Sequence, residues 1–379
     1  MLSSGDLAVS GAGAALSNAG IIQAGGALAL GQDESRLGSL SNAAGGELLG
    51  AAVRFAGREF DNAGLVQGNA GLEVIAGAGL RNRAAARMVA TDAQAALQLH
   101  AARLDNAGSL QSAGTLLARA AGDIDNRGQV QAAGALDAGA GAALRNHGPN
   151  GSMLSTGGDL ALAAAALDNA GRLQAARNLG ASVRGALGNS GTILNQRSEG
   201  ALALQAGELD NSGVVQAAGA AQLSATAGRL RNRGKVSSDA ALALAAAKGL
   251  ENSGAGSRLL AAGALQITGA AGFDVANEGR IQSGAALSVG SASGRAARLA
   301  NSAGAVLLGD GLAIHAGGVA NSGSLGAQKN AQITRIPPMP ACPAAWRRKA
   351  APAPTPRAAP ACSFGTRPRR SRPHPAARR

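Results

Sequence analysis

The chain repeats one short pattern of apolar and polar positions: an apolar residue, any residue, Asn, any residue, and in most copies Gly. Fifteen copies are centred on Asn18, Asn42, Asn62, Asn82, Asn106, Asn126, Asn146, Asn169, Asn189, Asn211, Asn232, Asn252, Asn277, Asn301 and Asn321, and the steps between them run from 20 to 25 residues. Two residues before the Asn every copy is apolar, from Leu16 and Phe60 to Val319. Two residues after it twelve copies carry Gly, with Ala44, Ala84 and Ala303 as the exceptions. Four residues after it ten are Leu, Val or Ile, among them Ile22, Val66, Leu110 and Val215, and five after it seven are Gln. A second apolar pair follows, such as Leu28 with Leu30, Leu72 with Val74 or Leu242 with Leu244. The even spacing within each group is strand periodicity, with alternate residues facing one side.

Helix is the competing reading, because Ala is abundant and is the best helix former. Ala163 to Ala166 and Asp92 to Arg103 fit it locally. Against it, Gly returns at one fixed place in nearly every unit, and no three-four apolar spacing is sustained. Strands returning at a fixed period, with no room for a helix between them, predict a coil in which each turn stacks on the one before as parallel sheets. The predicted fold is all-β: a right-handed parallel β-helix of about fifteen turns of about 20 residues over residues 1–334, with a disordered Pro- and Arg-rich tail over 335–379. A lone turn buries too little apolar surface to offset the ordering of its backbone, so many stacked copies are needed. At ~4.8 Å per stacked strand the array would be a rod of roughly 70 Å.

Composition adds that the core must be thin. Tyr is absent, and Phe55, Phe60, Phe273, Phe364 and Trp346 are the only aromatic residues in 379. The net charge of +13 suggests a nucleic-acid or membrane-surface partner. Its distribution argues against that for the repeats: residues 336–379 carry ten Lys and Arg and no acid, which leaves +3 for residues 1–335. The same segment holds 11 of the 12 prolines and both cysteines, Cys342 and Cys362. So abrupt a change, with the repeat ending in mid-turn after Ile333, is what a reading-frame shift would produce. No run of eighteen apolar residues marks a membrane span, and the segment after Met1 has no charged start or continuous apolar stretch of a signal peptide.

The candidate chemistry is mostly architectural. An inward-facing Asn in a dry core must find partners. Identical amides one turn apart can bond each other along the axis, and fifteen copies fit that ladder better than a ligand or metal site. The Gly two residues on is expected to supply a backbone angle that a Cβ forbids. A phosphate-cradling reading would need a following helix and a Lys, and neither is present. Asp61, Asp105, Asp125, Asp168 and Asp210 precede their Asn like a row of calcium ligands, but Arg81, Arg145 and Arg231 hold the same position, which reads as a solvated exterior column. His100, His147 and His315 are scattered with no metal-ligand spacing. No catalytic, cofactor-binding or metal-binding residue is assigned, no cofactor is expected, and an enzyme is not. Asn42, Asn82, Asn146, Asn252 and Asn301 lack Leu, Val or Ile at the fourth following position. The longer steps ending at Asn277 and Asn301 should bulge outward, and such bulges are where a local binding feature is expected.

The phrase Leu104-Asp105-Asn106-Ala107-Gly108-Ser109-Leu110-Gln111-Ser112-Ala113-Gly114 resembles the 20-residue repeat of filamentous haemagglutinin and related adhesins. The resemblance covers about residues 1–333. It implies a secreted exoprotein of a Gram-negative bacterium, exported by a dedicated outer-membrane partner barrel and acting on a host-cell or bacterial-surface receptor. It implies either an adhesin rod or the stick that presents a contact-dependent toxin. The family's secretion signal, N-terminal transport domain and C-terminal effector domain are missing from this sequence, which starts in mid-array. The expectation is a segment of a longer exoprotein, or the product of a degraded gene. Nucleic-acid binding through the basic tail is the alternative from another class.

Overall fold

Residues 208 to 225 show how one turn is built. In strand Glu208–Asn211 exposure alternates: Glu208 faces out, Leu209 is buried, Asp210 is half-buried and Asn211 is buried. Val215 and Ala217 point inward from Val214–Ala217. Ala221, Leu223 and Ala225 do so from Ala221–Ala225. Three short strands thus enclose one thin interior, and the corners between them fall on Gly213 and on residues 218–220. The structure is a computed structural model that describes residues 1–32 and 34–335. Residues 336–379, expected to form a disordered tail, lie outside the described residues.

Every strand pairs in parallel with its counterpart one turn away. Leu202–Ala206 pairs with Ala221–Ala225 in a first sheet, Glu208–Asn211 with Arg229–Asn232 in a second, and Val214–Ala217 with Lys235–Ser238 in a third. The described residues contain 39 strands and no helix, forming a parallel β-solenoid of about 16 turns with ~21-residue spacing. The segments that could pass for helix are strands: Leu160–Ala164, Ala166–Asn169 and Ala96–Asn106. The one antiparallel bridge, Gln32 with Ser35, lies in a corner loop. One more turn is present than the fifteen Asn suggest, because the first strands, Leu2–Ser3 and Leu7–Val9, belong to the stack without an Asn of their own.

The interior is aliphatic apart from a few rings. Leu28, Leu30, Leu97, Leu99, Leu223 and Ile267 are fully buried, and Ala fills many of the remaining inward positions. Phe55 and Phe60 stack with ring centroids 4.9 Å apart in the long strand Glu47–Asn62, whose ladder with the next turn shifts register at its corners, between Gly50 and Ala52 and between Gly57 and Glu59.

The fifteen Asn form one unbroken ladder. Each Nδ2 donates to the Oδ1 one turn later, from Asn18→Asn42 at 2.9 Å to Asn301→Asn321 at 2.7 Å. At the centre, Asn211 accepts from Asn189 at 2.7 Å and donates to Asn232 at 2.8 Å. Its Nδ2 also faces the carbonyls of Gly213 and Lys235, so two hydrogens are shared among three acceptors. The ladder keeps these amides satisfied in a space that water does not reach.

The Gly two residues after the Asn serves a different need from the one expected. Gly213 has no positive φ. A Cβ on it would lie 2.1 Å from the carbonyl oxygen of Gly191, one turn below. Gly128, Gly171, Gly191 and Gly234 meet the same obstacle at 2.0 to 2.1 Å. Gly20, at the same position, would meet nothing within 4 Å. The column of glycines therefore exists because the turns are stacked closely. Positive φ at this position is confined to Gly148 and Gly254, at 82° and 86°, both in longer corner loops.

Two substitutions test this account by guanidinium unfolding followed by circular dichroism. Asn211→Ala leaves Asn232 Oδ1 without a donor inside the stack and should cost about 2–4 kcal/mol, whereas Asn321→Ala, exposed at the ladder's end, should cost about 1 kcal/mol or less. Gly213→Ala should cost about 1–3 kcal/mol by forcing the turns apart. Gly256→Ala, where the Cβ meets nothing within 4 Å, should be neutral or slightly stabilising.

Candidate functional site

The asparagine corner is saturated from within. Each interior amide has its oxygen and both its hydrogens engaged by neighbouring turns, as at Asn126, Asn169 and Asn252. Between the ends of the ladder, no amide in that column is left to meet a ligand.

Outside the same corner runs a seam of ion pairs. The acid that precedes one Asn is bridged by the cation that follows the next. Asp61 is held by Arg83, Asp105 by Arg127 at 3.3 Å and Asp210 by Arg233 at 2.8 Å, and at the matching place His147 Nε2 forms a hydrogen bond with Asp125 Oδ1 at 2.8 Å. Glu251 takes Arg229 at 2.6 Å and Arg231 at 3.0 Å. Directly stacked neighbours also alternate in sign at Asp61, Arg81 and Asp105, and again at Asp210, Arg231 and Glu251. Where two acids do stack, Asp105 under Asp125, Arg127 lies within reach of both. Exposed pairs of this kind contribute about 0–1 kcal/mol each. Their main effect is to remove like-charge repulsion along the column. Among the described residues no group of three His, Cys, Asp or Glu is placed to hold a metal ion.

Asp123 is the best-held carboxylate of the seam. It accepts the backbone N–H of Ala143 at 3.0 Å and a guanidinium N–H of Arg145 at 3.2 Å. The Ala143 N–H first, and Arg145 second, hold its carboxyl below the ordinary aspartate range. It therefore stays ionised and is unsuited to donate a proton near neutral pH. The histidines are not brought together: His100 lies in Ala96–Asn106, His147 in the corner after Asn146, and His315 in Val306–Asn321.

A surface groove of about 530 Å³ runs beside this seam across Glu59, Asp61, Arg81, Arg103 and Asp105. Asp61 and Asp105 are both claimed by arginines, Arg83 for the first and Arg103 and Arg127 for the second. The groove is lined by three acids, Glu59, Asp61 and Asp105, and two arginines, Arg81 and Arg103.

The irregular units carry what the pattern could not show. After Asn42, Asn82, Asn146, Asn252 and Asn301 the third-sheet strand starts five or six residues later, at Glu47, Arg87, Ser152, Arg258 and Val306, where the other units need three. The missing aliphatic is displaced by the same amount, and Leu48, Met88, Met153, Leu259 and Leu307 are all buried in its place. The extra residues form β-turns closed by a backbone bond, as from Ala86 N–H to Arg83 at 3.1 Å, Ser257 to Gly254 at 3.0 Å and Ala305 to Ser302 at 3.1 Å. Their tips, including Ala84, Ala255 and Ala303, are exposed. The step ending at Asn301 bulges instead at Ser291–Gly294, closed by Ser291 N–H to Gly294 at 3.0 Å.

Fold and surface together define a repeat protein of the parallel β-solenoid class. No family model, curated protein or solved structure matches the chain.

The tethered Asp123 gives a pH test. Its folded pKa lies below the unfolded one, so its stabilisation is fully present above the ordinary aspartate range near ~4 and is lost as the pH falls through the depressed folded value. Asp123→Asn should lower the denaturation midpoint at neutral pH, with the gap to the parent chain closing at acid pH, once the pH has fallen below the ordinary aspartate range. Denaturant titrations of both chains at the two pH values measure it.

Proposed function

We propose that this chain is the rod region of an exported bacterial surface protein of the filamentous haemagglutinin type, which mediates or presents adhesion. The observation that carries the reading is the continuous hydrogen-bonded stack, whose Asn ladder runs without a gap from Asn18 to Asn321. A body bonded along its axis over ~67 Å resists bending and can hold a binding region away from a cell surface. The near-neutral charge of residues 1–335 supports a structural rather than a nucleic-acid role for the array. The repeat phrase around Asn106 supports the family. In this reading the role is mechanical and non-catalytic, the partners are a surface receptor and an outer-membrane export barrel, and turns fold one upon another as they emerge.

Beads coated with the full chain should adhere to cultured host cells several-fold more than albumin-coated beads. Adherence no greater than that of the albumin-coated beads would sink the adhesin reading.

A further inference from the structure

The outer face of the third sheet is predominantly cationic. Following the register from Ile21 through Glu47, Leu65 and Arg87 to Val306, one outward column holds Arg87, Arg172, Lys235, Arg258 and Arg280, with Glu47 as its only acid. Lys235, Arg258 and Arg280 occupy three successive turns. This differs from the corner seam, where Arg83, Arg127, Arg231 and Arg233 each have an acid within reach.

Two long corner loops enclose the upper end of that row. Ser253–Gly256 and Ser302–Gly304 project two turns apart, and the short corner at Gly279 lies between them. They bound a cleft of about 380 Å³, within the ~300–1,000 Å³ range of ligand sites. Its walls include Ala255 and Gly304, and its floor carries Arg258, Arg280 and Gln282 beside Leu260 and Val306. Arg280 Nε is steadied by Gln282 Oε1 at 2.6 Å, which leaves its terminal amino groups free to donate. Glu278, next to Gly279 in the short corner, accepts from the Gly254 backbone N–H at 2.9 Å.

The same loop geometry occurs once more, between Ala43–Gly46 and Arg83–Ala86. There the column offers Glu47, Leu65 and Arg87, one acid with one base. Only the cleft near Arg258 combines two enclosing loops with unbalanced cations.

We propose that the cleft between Ser253–Gly256 and Ser302–Gly304 docks an acidic, aliphatic peptide segment of a partner protein, with Arg258 and Arg280 clamping one of its carboxylates. Guanidinium groups one turn apart, at about 4.8 Å, can approach the two oxygens of one carboxylate. Leu260 and Val306 offer apolar contact to the flanking side chains of an extended segment. A sugar polymer or single-stranded nucleic acid is the poorer fit, because the cleft has no aromatic ring on which a sugar or base could stack. This goes beyond the rod reading and does not depend on it, since the cleft would bind whatever role the stack has.

The test uses the full chain and a hexapeptide of alternating Glu and Leu that carries a photo-crosslinker, with cross-linked sites located by mass spectrometry. Cross-links are expected on residues 253–260 and 302–308. Affinity should fall by about tenfold or more in the Arg258→Gln/Arg280→Gln double variant and stay unchanged in Arg87→Gln, the matched position of the other loop pair. Glu278→Gln should tighten binding. An unchanged circular dichroism spectrum shows that the variants keep the fold. The proposal is overturned by cross-links confined to residues 336–379, by equal binding of the Gln and Leu analogue, by equal loss in Arg87→Gln, or by a uronic-acid polymer that outcompetes the peptide at the same arginines.

Discussion

The buried amide ladder is the constraint that the rest of the solenoid obeys. An Asn side chain inside a dry stack is tolerable only if the next turn brings another amide to the same place. The distance between an Asn and its successor along the chain is free, and it varies from 20 to 25 residues. Position along the axis is not free. Every second-sheet pairing therefore sets Asn against Asn, from Asn18 with Asn42 to Asn301 with Asn321. Extra residues collect at corners, after Asn252 or between Val289 and Ala296, and never between the buried aliphatic and its Asn. A stack built this way can absorb loops without losing register.

Close stacking has its own cost at the corner, where the chain crosses over the carbonyl of the turn below. At Gly213 and Gly234 there is no space for a methyl group, so the residue there must be Gly whatever its φ. Three of the five longer corners relax this, while Gly46 and Gly151 keep the glycine because a Cβ there would meet an oxygen at 2.5 and 2.3 Å. Ala86, Ser257 and Ala305 take the crossing position in turns whose extra residues change the approach. The small residues of the interior have the same origin: parallel strands about 4.8 Å apart around a narrow triangle leave room for Leu from one side and Ala from another, with rings admitted at few places.

The strands and the amide ladder were legible in the sequence because both depend on side-chain alternation and on identical residues recurring, as in Leu209, Asn211 and Val215. The reason for the glycines was not, since a residue without Cβ answers equally to a left-handed φ and to a close neighbour, and only the position of Gly191 above or below decides. Long corners were visible only as a failed match: Met88 and Leu259 sit two and three places beyond where an aliphatic was expected, and the shift becomes meaningful once the loop is seen. The seam of ion pairs was half legible. Alternating Asp and Arg implied an exterior column, but the pairing of Asp125 with His147 depends on where a long corner puts its first residue. The cleft near Arg258 could not be read at all, because its two walls are separated by about fifty residues and face each other only when one further turn is stacked between them.

Interior and exterior of this stack are under unequal demands. One residue in two on each strand must be apolar, small or Asn, and the remainder can change without disturbing the ladder. The three outer faces accordingly differ. The second sheet's is charge-matched along Asp61, Arg81 and Asp105. The third's is cationic at Lys235, Arg258 and Arg280. From Ala161 to Ala313 the first sheet's outer positions are small or amide residues such as Ala203, Gln222 and Ala243 without a charge. Repetition inside thus permits difference outside, turn by turn. Any selectivity of such a rod must reside where an outward side chain coincides with a corner that can lengthen, because flat faces of a solenoid give a partner no enclosure.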